Sequence, residues 1–282
     1  MTPVSLVSSD WNIAGQKSVV REDAKTIARR FLDARRSAAG LDEYPGDLPE
    51  TLDEAYAIQD RAIAEWNEPI LGWKVGRIHS PLSEHYGADR LAGPIFSVVE
   101  ALEALPEMPI FPRGFAAAEA EFLLRIGATP PAGKSEFTLA EAAAMIDSVH
   151  IGIEIASSPL KPINDIGPAA IISDFGNNNG LVVGSSVRDW RSSGFEDWEV
   201  TTWIDKAQVG CGEARSFPNG PIGAATFLFE LLAKRGIEVK PGQWISSGAI
   251  TGVHDLKAGQ MVEARFDRWY RVACRAVAGE LQ

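Results

Sequence analysis

Apolar residues recur at helical spacing from Arg21 to Ala39. Ala24, Ile27, Ala28, Phe31 and Leu32 alternate with basic residues there, which predicts a first helix. The glycines and prolines of "GLDEYPGDLP" break it. Thr51 and Glu54 then have capping-box spacing at the head of "TLDEAYAIQDRAIAEW", where Leu52, Ala55, Tyr56, Ala62 and Ile63 share one stripe, so a second helix is expected. From "LGWKVG" onward the pattern changes to short β-rich runs separated by turn residues. The expected strands are 71–75, 118–125, 150–155, 180–184, 198–205, 243–246, 261–266 and 269–275. Two helices interrupt them, one opening at Thr138 with Glu141 at N3, the other "IGAATFLFELLAKRG", which closes at Gly236. Without regular strand–helix alternation, the chain reads as α+β with a mixed, β-dominated core. Three regions are expected: a loose N-terminal arm over 1–20, a helical region over 21–70 and a mixed β core over 71–282.

Charge and composition narrow the function classes. A net charge of −11 argues against nucleic acid or an anionic membrane as the main partner, so an anionic ligand would need a local cation. Cys211 and Cys274 are too few for a disulfide framework and stand in no metal-binding spacing, which fits a reduced, cytoplasmic setting. "MTPVSLVSSDWNIAG" lacks the basic and apolar regions of a signal peptide, and no apolar run is long enough to span a bilayer.

The candidate chemistry lies in charged residues set in apolar strands. In "FAAAEAEFLLRI", Glu119 and Glu121 are two apart and so point to one face of a strand, roughly 6.6 Å from each other along it. Paired carboxylates in such surroundings raise each other's pKa unless a cation sits between them. Mg²⁺ or Mn²⁺ favours such oxygen sites; an edge strand with one solvated face is the alternative. Glu154 is the only acid in "VHIGIEIAS", either a further ligand or a paired core acid. Lys74 interrupts "LGWKVG", and it either snorkels, forms a structural ion pair or serves as a cation for a carboxylate or enolate. His79, His85, His150 and His254 show no zinc-ligand spacing.

"GWKVG", "EAEFLL", "GIEIASS", "SDFGNNNGLVVG" and "SSGAITGVHDLKAGQMVEARF" follow one another in an order that resembles the fumarylacetoacetate hydrolase superfamily. Its 2-keto-4-pentenoate hydratase and 2-oxohex-3-enedioate decarboxylase branch is the nearer likeness, over about residues 21 to 276. The resemblance implies a distorted β-barrel or β-roll core with an N-terminal helical region. It implies Mg²⁺ or Mn²⁺ held by Glu119, Glu121 and Glu154, with Lys74 as the active-site lysine. It also implies a short 2-oxo or 2-hydroxydienoic acid substrate from aromatic meta-cleavage, and a homo-oligomer. Association with a pathway partner enzyme is known among such enzymes.

Where the sequence departs from that pattern, the proton-transfer groups are altered. The aspartate that hydratases of the branch carry after the lysine strand falls here on Leu91 or Ala92, which leaves Asp89 and His79 as the nearest titratable groups. Asp174 matches the aspartate of a substrate-binding stretch, Asn177 and Asn178 lie near its serine, and Ser247 is a further hydrogen-bonding candidate; the Asn run before Gly also reads as a plain turn. Ala117 stands where an arginine is common, and "FDRWYRV" replaces a Gly-rich turn. The leading expectation is a metal-dependent hydratase of 2-oxo-enoic acids. The alternatives are a 2-oxo-enedioate decarboxylase, an acylpyruvate-type C–C hydrolase using Glu84 and His85, and a non-catalytic oxo-acid-binding paralogue or partner subunit.

Overall fold

Asp23 caps the first helix, α1 (Ala24–Arg36), by accepting the Thr26 N–H at 2.8 Å. Thr51 and Glu54 form the expected capping box on α2 (Leu52–Trp66). The computed structural model describes residues 23–101 and 105–279, so the arm expected over 1–20 lies outside the described residues. After α2 come β1 (Gly72–Arg77), α3 (Leu82–Tyr86), β2 (Arg90–Ile95), β3 (Val98–Glu100), β4 (Glu107–Ile110), β5 (Phe115–Ile126) and α4 (Leu139–Ala144). Then follow β6 (Ile146–Ser158), α5 (Ile163–Ile166), α6 (Pro168–Ser173), β7 (Asn178–Ser186), β8 (Val200–Ile204), β9 (Ala207–Gly212) and α7 (Gly220–Lys234). The last four strands are β10 (Trp244–Ser246), β11 (His254–Asp255), β12 (Met261–Phe266) and β13 (Tyr270–Ala278).

Two mixed sheets carry the α+β fold. The larger runs β2-β1-β10-β5-β6-β7-β3, with β11 also paired to β5; the smaller runs β4-β13-β12-β8-β9. Neither closes into a barrel among the described residues. They meet instead across one core, to which the large sheet gives Trp73, Val75, Ala118, Ala120, Phe122, Ile151, Ile153 and Ile245, and the small sheet Val262, Ala264, Phe266 and Val272. Period-two alternation sends the intervening residues of β1, β5, β6 and β10 to the opposite face. Among these are Lys74, Glu119, Glu121, Glu154 and Ser246.

That opposite face is buried too. Ile27, Phe31 and Leu32 of α1, with Ile58 and Ala62 of α2, pack with Leu160, Ile163, Ala170 and Phe175 from the connection between β6 and β7. The expected strands all form, several of them longer than their apolar runs. The elements that the pattern misses are short, and some hold turn residues, as in β2, "RLAGPI", where Gly93 and Pro94 mask a strand that is buried throughout.

Candidate active site

The register brings three carboxylates together. Glu119 of β5 stands directly opposite Glu154 of β6, and Glu121 opposite Gly152. Glu119 is 5% exposed, Glu121 and Glu154 0%. One carboxylate oxygen from each lies within 4.8 Å of the others. Lys74 joins them from β1, its Nζ 3.5 Å from Glu154 Oε1.

Three negative groups and one cation do not balance. Burial raises Glu119 to about 7 despite Lys74, and Glu154 adds to the rise. Burial, then Glu154 and Glu119, raise Glu121 well above the usual carboxylate range. Burial pulls the Lys74 ammonium down, but Glu154, Glu119 and Glu121 reverse this and hold it above its ordinary value. Glu121 Oε1 and Glu154 Oε2 are buried and accept no hydrogen bond among the described residues. Buried carboxylate oxygens normally have partners. Two orphaned oxygens in an all-oxygen set with excess negative charge fit a hard divalent cation.

The remaining oxygens are oriented by the surroundings. Ser246 Oγ donates to Glu121 Oε2 at 2.5 Å, and the Gly248 N–H donates to the same oxygen at 2.8 Å. Asn178 Nδ2 donates to Glu154 Oε1 at 2.9 Å. Lys74 Nζ donates to Asn177 Oδ1 at 3.3 Å, while Asn177 Nδ2 donates to Asn164 Oδ1 at 3.1 Å, so both ends of the Asn177 amide are used.

Asn177 and Asn178 leave an unusual turn. Phe175, Gly176 and Asn177 have φ of 56°, 69° and 55°, three successive left-handed residues. Each non-glycine residue there costs about 1–2 kcal/mol, so the surroundings must hold the turn. Close backbone approach explains two glycines. A Cβ on Gly93 would sit 2.2 Å from the Phe175 carbonyl oxygen, and one on Gly176 would sit 2.9 Å from Lys74 Cδ. Both positions keep the turn pressed against the lysine.

A cleft of about 230 Å³ opens onto the group. Lys74, Glu119 and Asn177 line its floor, with Arg77, His79, Leu91, Asn164 and Phe217 among its other walls. Leu91 occupies one of the two positions where the family resemblance places a hydratase aspartate, and Ala92, the other, is fully buried. The cleft wall there is therefore apolar.

Several residues singled out in the sequence lie elsewhere. Asp89 is exposed beside Arg90 and is not among the residues lining the cleft. Asp174 is buried in an ion pair with Arg35 of α1, Nε to Oδ1 2.5 Å, so its carboxylate is occupied by protein. Ser247 Oγ donates to the Phe122 carbonyl at 2.7 Å, a main-chain tie rather than a contact with the carboxylates. Its neighbour Ser246 has the contact instead. Alternation along β10 holds the signal, since Trp244 and Ser246 share a face while Ile245 points into the core. Glu84 and His85 lie exposed on α3, with Glu84 accepting from Ser83 Oγ at 2.9 Å and His85 edge-on to Tyr86. Asn164 and Arg35 give no sequence signal, because only the folded chain brings them to the turn.

No family model and no curated protein sequence matches the chain. Solved structures do. The 4-oxalocrotonate decarboxylase from Pseudomonas putida G7, complexed with magnesium and adipate, superposes with a TM-score of 0.76 at 19% identity, over 90% of this chain and 97% of that one. Fumarylpyruvate hydrolase from Pseudomonas aeruginosa, in complex with Mn²⁺ and pyruvate, gives 0.54 at 14% identity, over 73% and 89%. A 2-hydroxyhepta-2,4-diene-1,7-dioate isomerase from Mycobacterium marinum gives 0.53 at 18%, over 75% and 77%. Agreement over nine-tenths of this chain extends beyond the β core to the helical region. The motifs read in the sequence and these structures agree: the chain has the fold of the fumarylacetoacetate hydrolase superfamily.

Proposed function

We propose that the protein is a divalent-metal-dependent lyase of short 2-oxo-enoic acids, and that decarboxylation of a 2-oxo-enedioate is the reaction its cleft suits best. The observation that carries the reading is the trio Glu119, Glu121 and Glu154, buried beside Lys74 with two carboxylate oxygens lacking partners. These three residues would hold Mg²⁺ or Mn²⁺, which supplies Lewis-acid stabilisation to charge gathering on a substrate oxygen. Neighbours of the same fold were solved with magnesium and with Mn²⁺.

The protein's own groups then divide the work. Lys74, kept protonated by the carboxylates, lines the cleft beside them and would offset negative charge developing on a substrate oxygen there. Asn177 fixes the direction of that ammonium, and Asn178 fixes Glu154. In a 2-oxo-enedioate the bond to the distal carboxylate breaks, CO₂ departs, and the electron pair moves through the double bonds to the C2 oxygen. This step needs no protein base. The Leu91 wall agrees with it, since an apolar surface favours a carboxylate that loses its charge as CO₂. Arg77 and His79 line the same cleft and suit the approach of a doubly charged anion.

Hydration is the second reading, favoured by one observation: His79 lines the cleft and is exposed, so it could transfer a proton there. Incubation of the Mg²⁺- or Mn²⁺-loaded protein with 4-oxalocrotonate, 2-hydroxypentadienoate and acetylpyruvate separates the reactions. The proposal expects CO₂ release from the first with the dienol as product. Loss of the dienol band from the second with water incorporated would select hydration. Cleavage of acetylpyruvate would select the hydrolase, and tight oxalate binding with turnover of none would select a binding protein.

A further inference from the structure

We infer that Arg35, on the N-terminal helix α1, is a positioning residue of the carboxylate site. The inference rests on the metal-site reading above and extends it to a residue of the helical region, about 140 positions in sequence from the turn it holds.

The guanidinium brackets the left-handed turn at both ends. Nε donates to Asp174 Oδ1 at 2.5 Å, and Nη2 to Asp174 Oδ2 at 3.0 Å and to its carbonyl at 3.2 Å. Nη1 donates to the Asn178 carbonyl and to Asn179 Oδ1, both at 3.3 Å, and Nη2 reaches the Ser157 carbonyl at 3.5 Å. Phe175, inside the turn, lies under the guanidinium with its ring centre 5.1 Å from Cζ. One planar group thus fixes the residue that enters the turn, the residue that leaves it and a ring within it. The two residues that the turn presents, Asn177 and Asn178, touch Lys74 and Glu154 directly.

Asp174 Oδ2 also accepts from Ser158 Oγ at 2.6 Å, which ties the pair to the end of β6, four residues beyond Glu154. A buried ion pair that served stability alone could stand anywhere in the core. This one sits where the chain adopts three successive left-handed residues next to the site. A planar fork with five donors suits the bracket; a lysine could pair with Asp174 but could not also reach Asn178 in the same plane. The helical region thereby becomes part of the functional unit.

Mn²⁺ affinity of the full chain, read by electron paramagnetic resonance, tests the inference in Arg35→Lys and Arg35→Ala. Partners that orient a metal ligand typically account for about 10–100-fold in affinity. Arg35→Lys should stay folded by near-ultraviolet circular dichroism and lose about tenfold. Arg35→Ala should recover when guanidinium is added at millimolar, non-denaturing concentration, and should not recover with urea, its uncharged shape mimic. A route exists, because the Arg35 side chain lines a separate cavity of about 340 Å³. Arg35→Lys binding Mn²⁺ within about twofold of wild type, or a folded Arg35→Ala that guanidinium does not restore, would overturn the assignment. If Arg35→Ala fails to fold, the lysine variant decides. A wild-type protein that binds no Mn²⁺ would instead reject the metal site itself.

Discussion

Removing the charge on Glu119 should make the metal-free protein more stable, and by more at alkaline pH. Glu119 is raised from 4.5 to about 7 in the folded protein, chiefly by burial. Between these values the folded state holds a proton that the unfolded chain has released, so stability falls as pH rises through this window. The rise from 4.5 to about 7 corresponds to about 3 kcal/mol, lost progressively from pH 4.5 and fully lost above pH 7. Glu121 shifts in the same direction and steepens the fall. Urea unfolding of chelator-treated wild type and Glu119→Gln, from pH 5 to 8.5, measures the effect as a difference that cancels unrelated groups. The variant should gain on the wild type by about 3 kcal/mol across the range, and added Mn²⁺ should shrink the gain by stabilising the wild type more than the variant. Parallel pH profiles for the two proteins, or a metal-free wild type that gains on the variant with pH, would refute the charge account of the site.

The remaining predictions use neighbouring residues. Ser246→Ala removes a 2.5 Å bond to Glu121 and should weaken Mn²⁺ binding measurably, whereas Ser247→Ala should cost about 1 kcal/mol in urea unfolding and leave Mn²⁺ affinity unchanged. Gly93→Ala drives a methyl into the Phe175 carbonyl and should destabilise by about 1–3 kcal/mol or more, with the near-ultraviolet spectrum of the aromatic cluster around Phe175 altered. Asp89→Asn should leave turnover of the oxo acid that the protein proves to use within about twofold of wild type, as an exposed residue outside the cleft, while His79→Gln should alter KM or kcat.

Much of this architecture was legible in the sequence because its signals are local. The capping boxes at Thr51 and Thr138, the body of β5 and the helix beginning "IGAATF" all follow from spacing and propensity. Paired Glu119 and Glu121, lone Glu154 and lone Lys74 stood out because charge is costly in apolar strands, and the sheet register brings all four to one face. What the sequence did not show lies in long-range packing and in short elements. Asp174 looked available because its partner lies in another region of the chain, and only packing of α1 against the β6–β7 connection reveals Arg35. Ser246, which donates to Glu121, lies in a three-residue strand, too short for alternation to mark it apart from Ser247 before its neighbours are known. Asp89 is near Lys74 in sequence, but it stands just before β2 with its side chain exposed beside Arg90.

Manganese titration of the chelator-treated protein, set beside Glu119→Gln, Glu121→Gln and Glu154→Gln, tests the central claim most directly. One equivalent should bind the wild type, with each variant folded and weakened at least about tenfold, since each removes a charged ligand. A wild type without a stoichiometric site, or three variants that bind as it does, would contradict the account.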